Sequence, residues 1–447
     1  MSTSNFDTLT SFLKTRFHDQ AEYLQATSEV LSDIIPIYSA NERYKHYDIA
    51  RRLCLPERII YFTVTWMNSA GEVEVNQGWR VQHNSVMGPY KGGLRFHPSV
   101  SLSVLKFLAF EQTFKNALTG LPMGGGKGGA DFNPKARNER DIMLFCQAYM
   151  RELQRHIGEQ TDVPAGDINV SAREIGYLYG EYRRLNNRFE GVLTGKGLEF
   201  GGSHIRTEAT GFGLVYFLDA VCTAQNTTVE GKKVTISGAG NVALHAALKC
   251  IHMGARVLTL SNSRGFLYCE HGYSENDINW AIEHASQYDN ILTALKEHSQ
   301  HPMNWYSNEK PWGIKGDIAL PCATQNELLE EDAQHLLAHG CQMVLEGANM
   351  PCDQDAQAVF SQNNITFVPG KAANAGGVAL SGLEMAQNAV FSQDDRDVLD
   401  NKLRSIMQNI HQRCLEEGQT DSNTNYARGA NIAAFKRLAE AMVAQGV

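Results

Sequence analysis

Nine cysteines are scattered through this chain of 447 residues, and no two of them form a C-x-x-C pair. Such spacing offers neither a zinc ribbon nor a disulfide framework, so the thiols are expected to be reduced, mostly buried and cytoplasmic. Positive charge is also scarce, with 40 basic against 49 acidic residues and a net charge of −9. A phosphate-reading surface needs the opposite balance, which argues against nucleic acid as a partner but leaves room for a local basic pocket. No run is long and apolar enough to span a bilayer, so no membrane role is expected. The opening "MSTSNFDTLTSFLKTRFHDQ" lacks the apolar segment and cleavage site of a signal peptide. There is no H-E-x-x-H, no EF-hand loop and no internal repeat. His335 and His339 in "HLLAH" lie four apart without a third ligand nearby, so they read as a solvated helix and no metal is expected.

What is present suits a globular protein of two to three domains, with 43% hydrophobic and 20% charged residues. Before residue 200, "RIIYFTVTWMN" and "VEVNQGWRVQHNS" have the alternation of strands. "SVSLSVLKFLAFEQTFKNALTG" reads as a helix closed by Gly120, and "SAREIGYLYGEYRRL" as one opened by a Ser171–Glu174 capping box. Beyond residue 200, the helix "TEATGFGLVYFLDAVCTAQN" leads into the strand–turn–helix–strand unit "KKVTISGAGNVALHAALKCIHMGARVLTLSNS". Short apolar runs follow at "DIALPCA", "CQMVLEGA" and "ITFVPG", the rhythm of parallel strands in a doubly wound sheet. The end reads as three helices, with the polar connection "QTDSNTNYARG" before the last.

Two places carry chemistry. In "SGAGNVA", Gly238, Gly240 and Ala243 form G-x-G-x-x-A between a strand and a helix, the context a dinucleotide fingerprint requires. Earlier, "LPMGGGKGGADFNP" sets Lys127 among five glycines. A P-loop fails there, because Leu121 and Gly128 stand where it needs glycine and Ser or Thr. The alternatives are a flexible turn or bare backbone that lets a ligand approach the lysine. Lys91 in "PYKGGLRFHP", Lys115 in "EQTFKN" and Asp167 in "VPAGDINV" join Lys127 as candidates. Each has a bland reading: a turn lysine, an ion pair with Glu111 four residues earlier, a turn aspartate. Together they suggest a cleft for an anionic substrate, ideally a dicarboxylate, in which mutual repulsion tunes one lysine toward acid–base work.

"GPYKGGLRFHPSV", "FEQTFKNALTGLPMGGGKGGADF", "DVPAGDI", "TGKGLEFGGSHIRTEATGFG", "SGAGNVA", "ALPCATQNEL", "EGANMP" and "PGKAANAGGVALSGLEMAQN" resemble the glutamate dehydrogenase family, small-subunit hexameric type, over nearly the whole chain. The resemblance implies an α/β fold of two domains that close over a cleft. A substrate and oligomerisation domain spans 1–202, a Rossmann-type doubly wound domain 203–375, and a helical connection 376–447 packs back on the first. It implies Lys127 and Asp167 as catalytic residues. Lys115 with Gln112 would hold the α-carboxylate, Lys91 and Ser381 the γ-carboxylate, and Gly166 and Asn374 the amino end. Arg206, Thr210, Asn241, Val242 and Asn349 would join Gly238 and Gly240 around the cofactor, Arg206 with the least defined duty. The glycines around Lys127 would give substrate and water access to its ammonium. The implied reaction is reversible oxidative deamination of glutamate by a homo-hexamer, probed against a leucine, valine or phenylalanine dehydrogenase and a non-catalytic regulator. NADP is the expected cofactor, because the second Rossmann strand ends in Asn262, Ser263 and Arg264 instead of the acid an NAD site uses.

Overall fold

The computed structural model describes residues 2–420 and 423–446; Met1, Val447 and, within the polar connection, Asp421 and Ser422 lie outside it. The chain forms two compact units, Met1–Arg206 with Val378–Leu399 and Asn431–Val447, and Thr207–Gly377 with Asp400–Ala430.

In the first unit, strands β1 (Arg58–Met67), β2 (Val73–Asn84), β3 (Tyr90–Phe96), β4 (Gly125–Ala130) and β5 (Asp162–Gly166) form one sheet in the order β1-β2-β4-β3-β5. Alternation along a strand gives the sheet two unlike faces. Leu94, Phe96 and Ala130 point into an apolar core with Phe132, Phe145 and Tyr149, built with the helices Glu139–Leu153 and Ala172–Asn186. Lys91 and Arg95 alternate with those residues on β3. The β3–β4 register, Arg95 opposite Gly129, puts Lys127 on their side of the sheet. The helix Leu102–Thr119 covers that side, packing Leu105 and Ala109 on Val81. It opens on Ser101, whose side chain accepts from Val104 N–H, and, as the sequence predicts, closes on Gly120, at φ +81°. The Ser171–Glu174 capping box is also present.

From Gly125 on, the glycine run is not a loop: it is β4, buried throughout and paired with β2 and β3. A Cβ on Gly125 would lie 1.9 Å from Thr113 Oγ1 and 2.6 Å from Thr113 Cα. One on Gly128 would meet Leu94 and Trp79 O at 2.8 Å. These glycines let the strand approach the covering helix and its neighbouring strands closely.

In the second unit, β6 (Lys233–Ser237), β7 (Arg256–Asn262), β8 (Gly265–Tyr268), β9 (Asn304–Ser307), β10 (Ile318–Pro321), β11 (Met343–Leu345) and β12 (Thr366–Val368) form a sheet in the order β12-β11-β10-β6-β7-β8-β9. From β12 to β7 the strands are parallel, and their helices cover them as in a doubly wound fold. Beyond β7 the pairing turns antiparallel.

Within the helical connection 376–447, Val378–Leu399 and Asn431–Val447 group with the first unit, and Asp400–Ala430 with the second. Tyr216 donates to Asp400 at 2.5 Å, and Phe217 packs edge-on to His411 at 5.4 Å. The last helix also starts early, at Tyr426, inside what reads as a polar connection. Asn425 caps it through Arg428 N–H, and Gly429 sits inside it because a Cβ there would strike Cys414 O at 2.1 Å. All nine cysteines are buried and unpaired. No helix among the described residues is long and apolar enough to cross a membrane, and no cluster of three or more His, Cys, Asp or Glu is placed to hold a metal ion.

Candidate active site

On the covered face of the first sheet, Lys127 Nζ donates to Asp167 Oδ1 at 2.9 Å. Arg95 Nε donates to the other oxygen, Oδ2, at 2.7 Å. Asp167 follows the end of β5 and keeps its side chain 14% exposed, so the pair can be reached. Burial opposes the carboxylate, but Lys127 and Arg95 overcome it and lower its pKa. Lys127 is itself lowered, first by burial and then by Arg95 and Arg80, against the pull of Asp167. Lys115 enters from the covering helix. Burial and the charge of Lys127 bring it down to about 8. A neighbouring helical turn carries Gln112, which donates to Asn116 Oδ1 at 2.7 Å, while Asn116 ties the helix to β3 through Lys91 O at 3.0 Å.

Lys91 is 1% exposed and, among the described residues, forms no ion pair. Burial lowers its pKa well below the usual lysine value, and Arg206 and Arg80 add to that. Arg206, expected among the cofactor contacts, lies in the first unit, where its charge acts on Lys91 and Lys115. Its Nε is buried with no hydrogen-bond partner. Buried cations without counter-ions are costly, and an arriving carboxylate relieves the cost. Ser381 is 2% exposed in the helix Gly376–Ala389. Gly166 ends β5 opposite Leu94.

On the opposite face Arg80 Nε donates to Asp162 Oδ2 at 2.8 Å, with both side chains fully buried, and Arg80 Nη1 donates to Gly92 O at 3.1 Å. This pair pins β2 to β3 and β5. Arg95 and the Arg80–Asp162 pair were missed in the sequence. Arg95 was legible, since it alternates with Lys91 on a strand, but Asp162 lies 82 residues from Arg80 and no local signal links them.

The second unit holds the dinucleotide features. Gly238 turns at φ +89°, and a Cβ there would press on Cys322 O at 3.0 Å and Ala243 Cβ at 3.2 Å. At Gly240 a Cβ would meet nothing within 4 Å. No side chain caps the helix Asn241–His252 at Gly240, so its first N–H groups and positive end remain available to a pyrophosphate. These residues fit a dinucleotide. Ser237 is held by Glu327 at 2.8 Å and by Cys322 N at 3.0 Å, which fixes the strand end before the turn. Asn241 donates to Thr207 O at 2.5 Å. Thr210 and Val242 are half-buried near helix starts, and Asn349 is exposed. Asn374 donates to Gly347 O, Ala348 O and Asn349 Oδ1 at 3.0–3.1 Å, so it braces this loop. Glu346 accepts from Gly370 N at 2.7 Å and Cys352 N at 3.2 Å; burial pushes it up to about 7.

Asn262, Ser263 and Arg264 form the tight turn between β7 and β8, with Asn262 paired to Gly265. Asn262 Nδ2 donates to Asn290 Oδ1 at 2.8 Å, and Arg264 Nη2 donates to the exposed Asp289 at 2.7 Å.

A dinucleotide turn in one unit and a buried lysine–aspartate cluster in the other define an α/β dinucleotide-dependent oxidoreductase. Residues 201–446 match the family described as Glutamate/Leucine/Phenylalanine/Valine dehydrogenase, and residues 56–184 match the Glu/Leu/Phe/Val dehydrogenase dimerisation domain. The chain is 49% identical over 446 residues to the NADP-specific glutamate dehydrogenase of Escherichia coli (strain K12), covering 100% of this chain and 99% of that one. It is 48% identical over 445 residues to the NAD-specific glutamate dehydrogenase of Bacteroides fragilis (strain YCH46), covering 99% and 100%. The crystal structure of Plasmodium falciparum glutamate dehydrogenase matches with a TM-score of 0.97 at 47% identity, over 100% of this chain and 95% of that one. The chain belongs to the Glu/Leu/Phe/Val dehydrogenase family.

Proposed function

We propose that this enzyme is a glutamate dehydrogenase, interconverting L-glutamate with 2-oxoglutarate and ammonia using NADP(H) and serving ammonium assimilation. The observation that carries the choice of substrate is Lys91, a buried lysine without an ion-pair partner among the described residues, on the same sheet face as the Lys127–Asp167 pair. A side-chain pocket for leucine or phenylalanine has no use for that charge.

Lys115 and Gln112 hold the α-carboxylate, Lys91 and Ser381 the distal one. Both ends fixed, the keto carbon is delivered to Lys127 and Asp167. In the assimilatory direction ammonia attacks that carbon. Lys127 donates a hydrogen bond to the developing oxyanion, and Asp167 takes the proton from the incoming nitrogen. Lys127 then protonates that oxyanion to give the carbinolamine, and water leaves to form the iminium as Asp167 returns the proton it took. Bound reduced nicotinamide supplies the hydride for the iminium carbon. Gly166 and Asn374 contact the amino end. Gly238, Gly240, Asn241, Val242, Thr210 and Asn349 hold the dinucleotide, and Asn262, Ser263 and Arg264 receive the 2′-phosphate.

The enzyme works as a cytoplasmic homo-hexamer. Its reduced, buried thiols and the exposed apolar residues of β1 and β2 support this reading. Nicotinamide-coupled turnover of 2-oxoglutarate and ammonium, with NADPH and NADH in turn, tests the proposal. Turnover confined to branched or aromatic oxo acids overturns it.

A further inference from the structure

One buried ion pair takes no part in the reaction described above. Glu384, fully buried, sits one turn beyond Ser381 on the same helix, so the two residues share a face. Its carboxylate accepts from Lys196 Nζ and Gly195 N–H, each at 2.9 Å, and from Lys196 N–H at 3.4 Å. Gly195 takes φ +85° to present its N–H there. Lys196 Nζ, 1% exposed, also donates to Leu193 O and lies 5.8 Å from the Tyr179 ring centroid. The loop is thereby stapled to the helix that carries Ser381.

Charge gives the pair a second significance. Lys91 and Arg206 have no ion-pair partner among the described residues, and Glu384 is the carboxylate that pulls on both. A buried, unpaired carboxylate seeks the nearest cation. We propose that Lys196 occupies Glu384 so that it does not capture Lys91 or Arg206, and that this pair thereby sets selectivity for a substrate with a distal carboxylate. The inference rests on reading Lys91 as the partner of that carboxylate. Lys196 and Glu384 are positioning residues; neither needs to touch substrate.

Steady-state oxidation of glutamate and of norvaline tests the idea in wild type, Lys196→Met, Lys196→Arg, Glu384→Gln and the Lys196→Met/Glu384→Gln double variant. In Lys196→Met the freed carboxylate competes with substrate, so KM for glutamate rises about ten- to hundredfold while norvaline turnover stays near wild type. Removing the competing charge in the double variant recovers most of the glutamate KM. Lys196→Arg and Glu384→Gln keep the glutamate preference at or above wild type. A double variant no better than Lys196→Met, or a parallel fall for norvaline, reduces the pair to a structural staple and overturns the proposal. If Lys196→Met does not fold, Glu384→Gln decides alone: loss of glutamate preference there refutes it. Lys91→Leu, run beside them, separates the two levels. Unchanged preference in Lys91→Leu refutes the pocket reading; loss there with none in Lys196→Met refutes the pair alone.

Discussion

At the scale of single residues, the proposed chemistry turns on groups whose charge is only half-compensated. Lys127 and Asp167 are bound to each other at 2.9 Å, so each is the other's proton partner before substrate arrives. Lys127→Ala is expected to lower kcat by about 10² to 10⁴-fold while the protein still binds NADPH, and Asp167→Asn to do similar damage. Near wild-type single-turnover rates in either variant would remove that residue from the mechanism. In the proposed site Lys115 would hold a carboxylate only when protonated, and burial with the charge of Lys127 brings its pKa down to about 8. A bound carboxylate raises that value again, so 2-oxoglutarate binding near pH 8 takes up protons, and affinity weakens as pH climbs through it. Calorimetry in two buffers of unlike ionisation heat measures the uptake, and Lys115→Arg should reduce it near pH 8. On the proposal that Arg264 receives the 2′-phosphate, Asp289 competes for it, since it accepts from Arg264 Nη2 at 2.7 Å. Asp289→Asn is expected to raise kcat/KM for NADPH about two- to tenfold and leave NADH nearly unchanged. Equal changes for both coenzymes would put Arg264 elsewhere.

At the scale of elements, β4 is the instructive case. "GGKGGA" has the composition of a loop and the conformation of a buried strand. Its register against β2 and β3 places Lys127, and the missing Cβ atoms let the Leu102–Thr119 helix bring Lys115 to the same face. Gly125→Ala should therefore act on folding. Forcing a methyl group against Thr113 costs about 1–3 kcal/mol, which lowers the melting temperature by several degrees. Unchanged melting with loss of substrate affinity alone would assign the glycines a ligand-access role instead. The same misreading recurs at Gly429, where helix-to-helix contact and not a chain break explains the residue.

For the whole molecule, β1 is an edge strand, and Ile59, Tyr61, Met67, Val73 and Val75 are exposed on it and on β2. An exposed apolar edge invites association with a second copy. Light scattering of the wild type should give a hexamer, and Ile59→Lys with Tyr61→Glu should shift it to smaller species with a lower melting temperature. A stable, active wild-type monomer would refute the assembly.

Much was legible in the chain because it is encoded over short distances. The strand–turn–helix around Gly238, the capping box at Ser171 and the Gly120 stop each depend on residues within a few positions, where backbone geometry and hydrogen bonding act directly. The candidate lysines and Asp167 were legible as residue types in motifs. Their partnership was not: Arg95 and Asp167 are 72 residues apart, Lys196 and Glu384 188. Which cations are neutralised and which stay open to substrate is decided when strands from distant parts of the chain pair in one register, because Coulomb and desolvation energies depend on distance and burial in space. The final helices tell the same story, since their pattern announced helices, while packing on Tyr216 and Phe217 decided that Asp400–Ala430 joins the second unit.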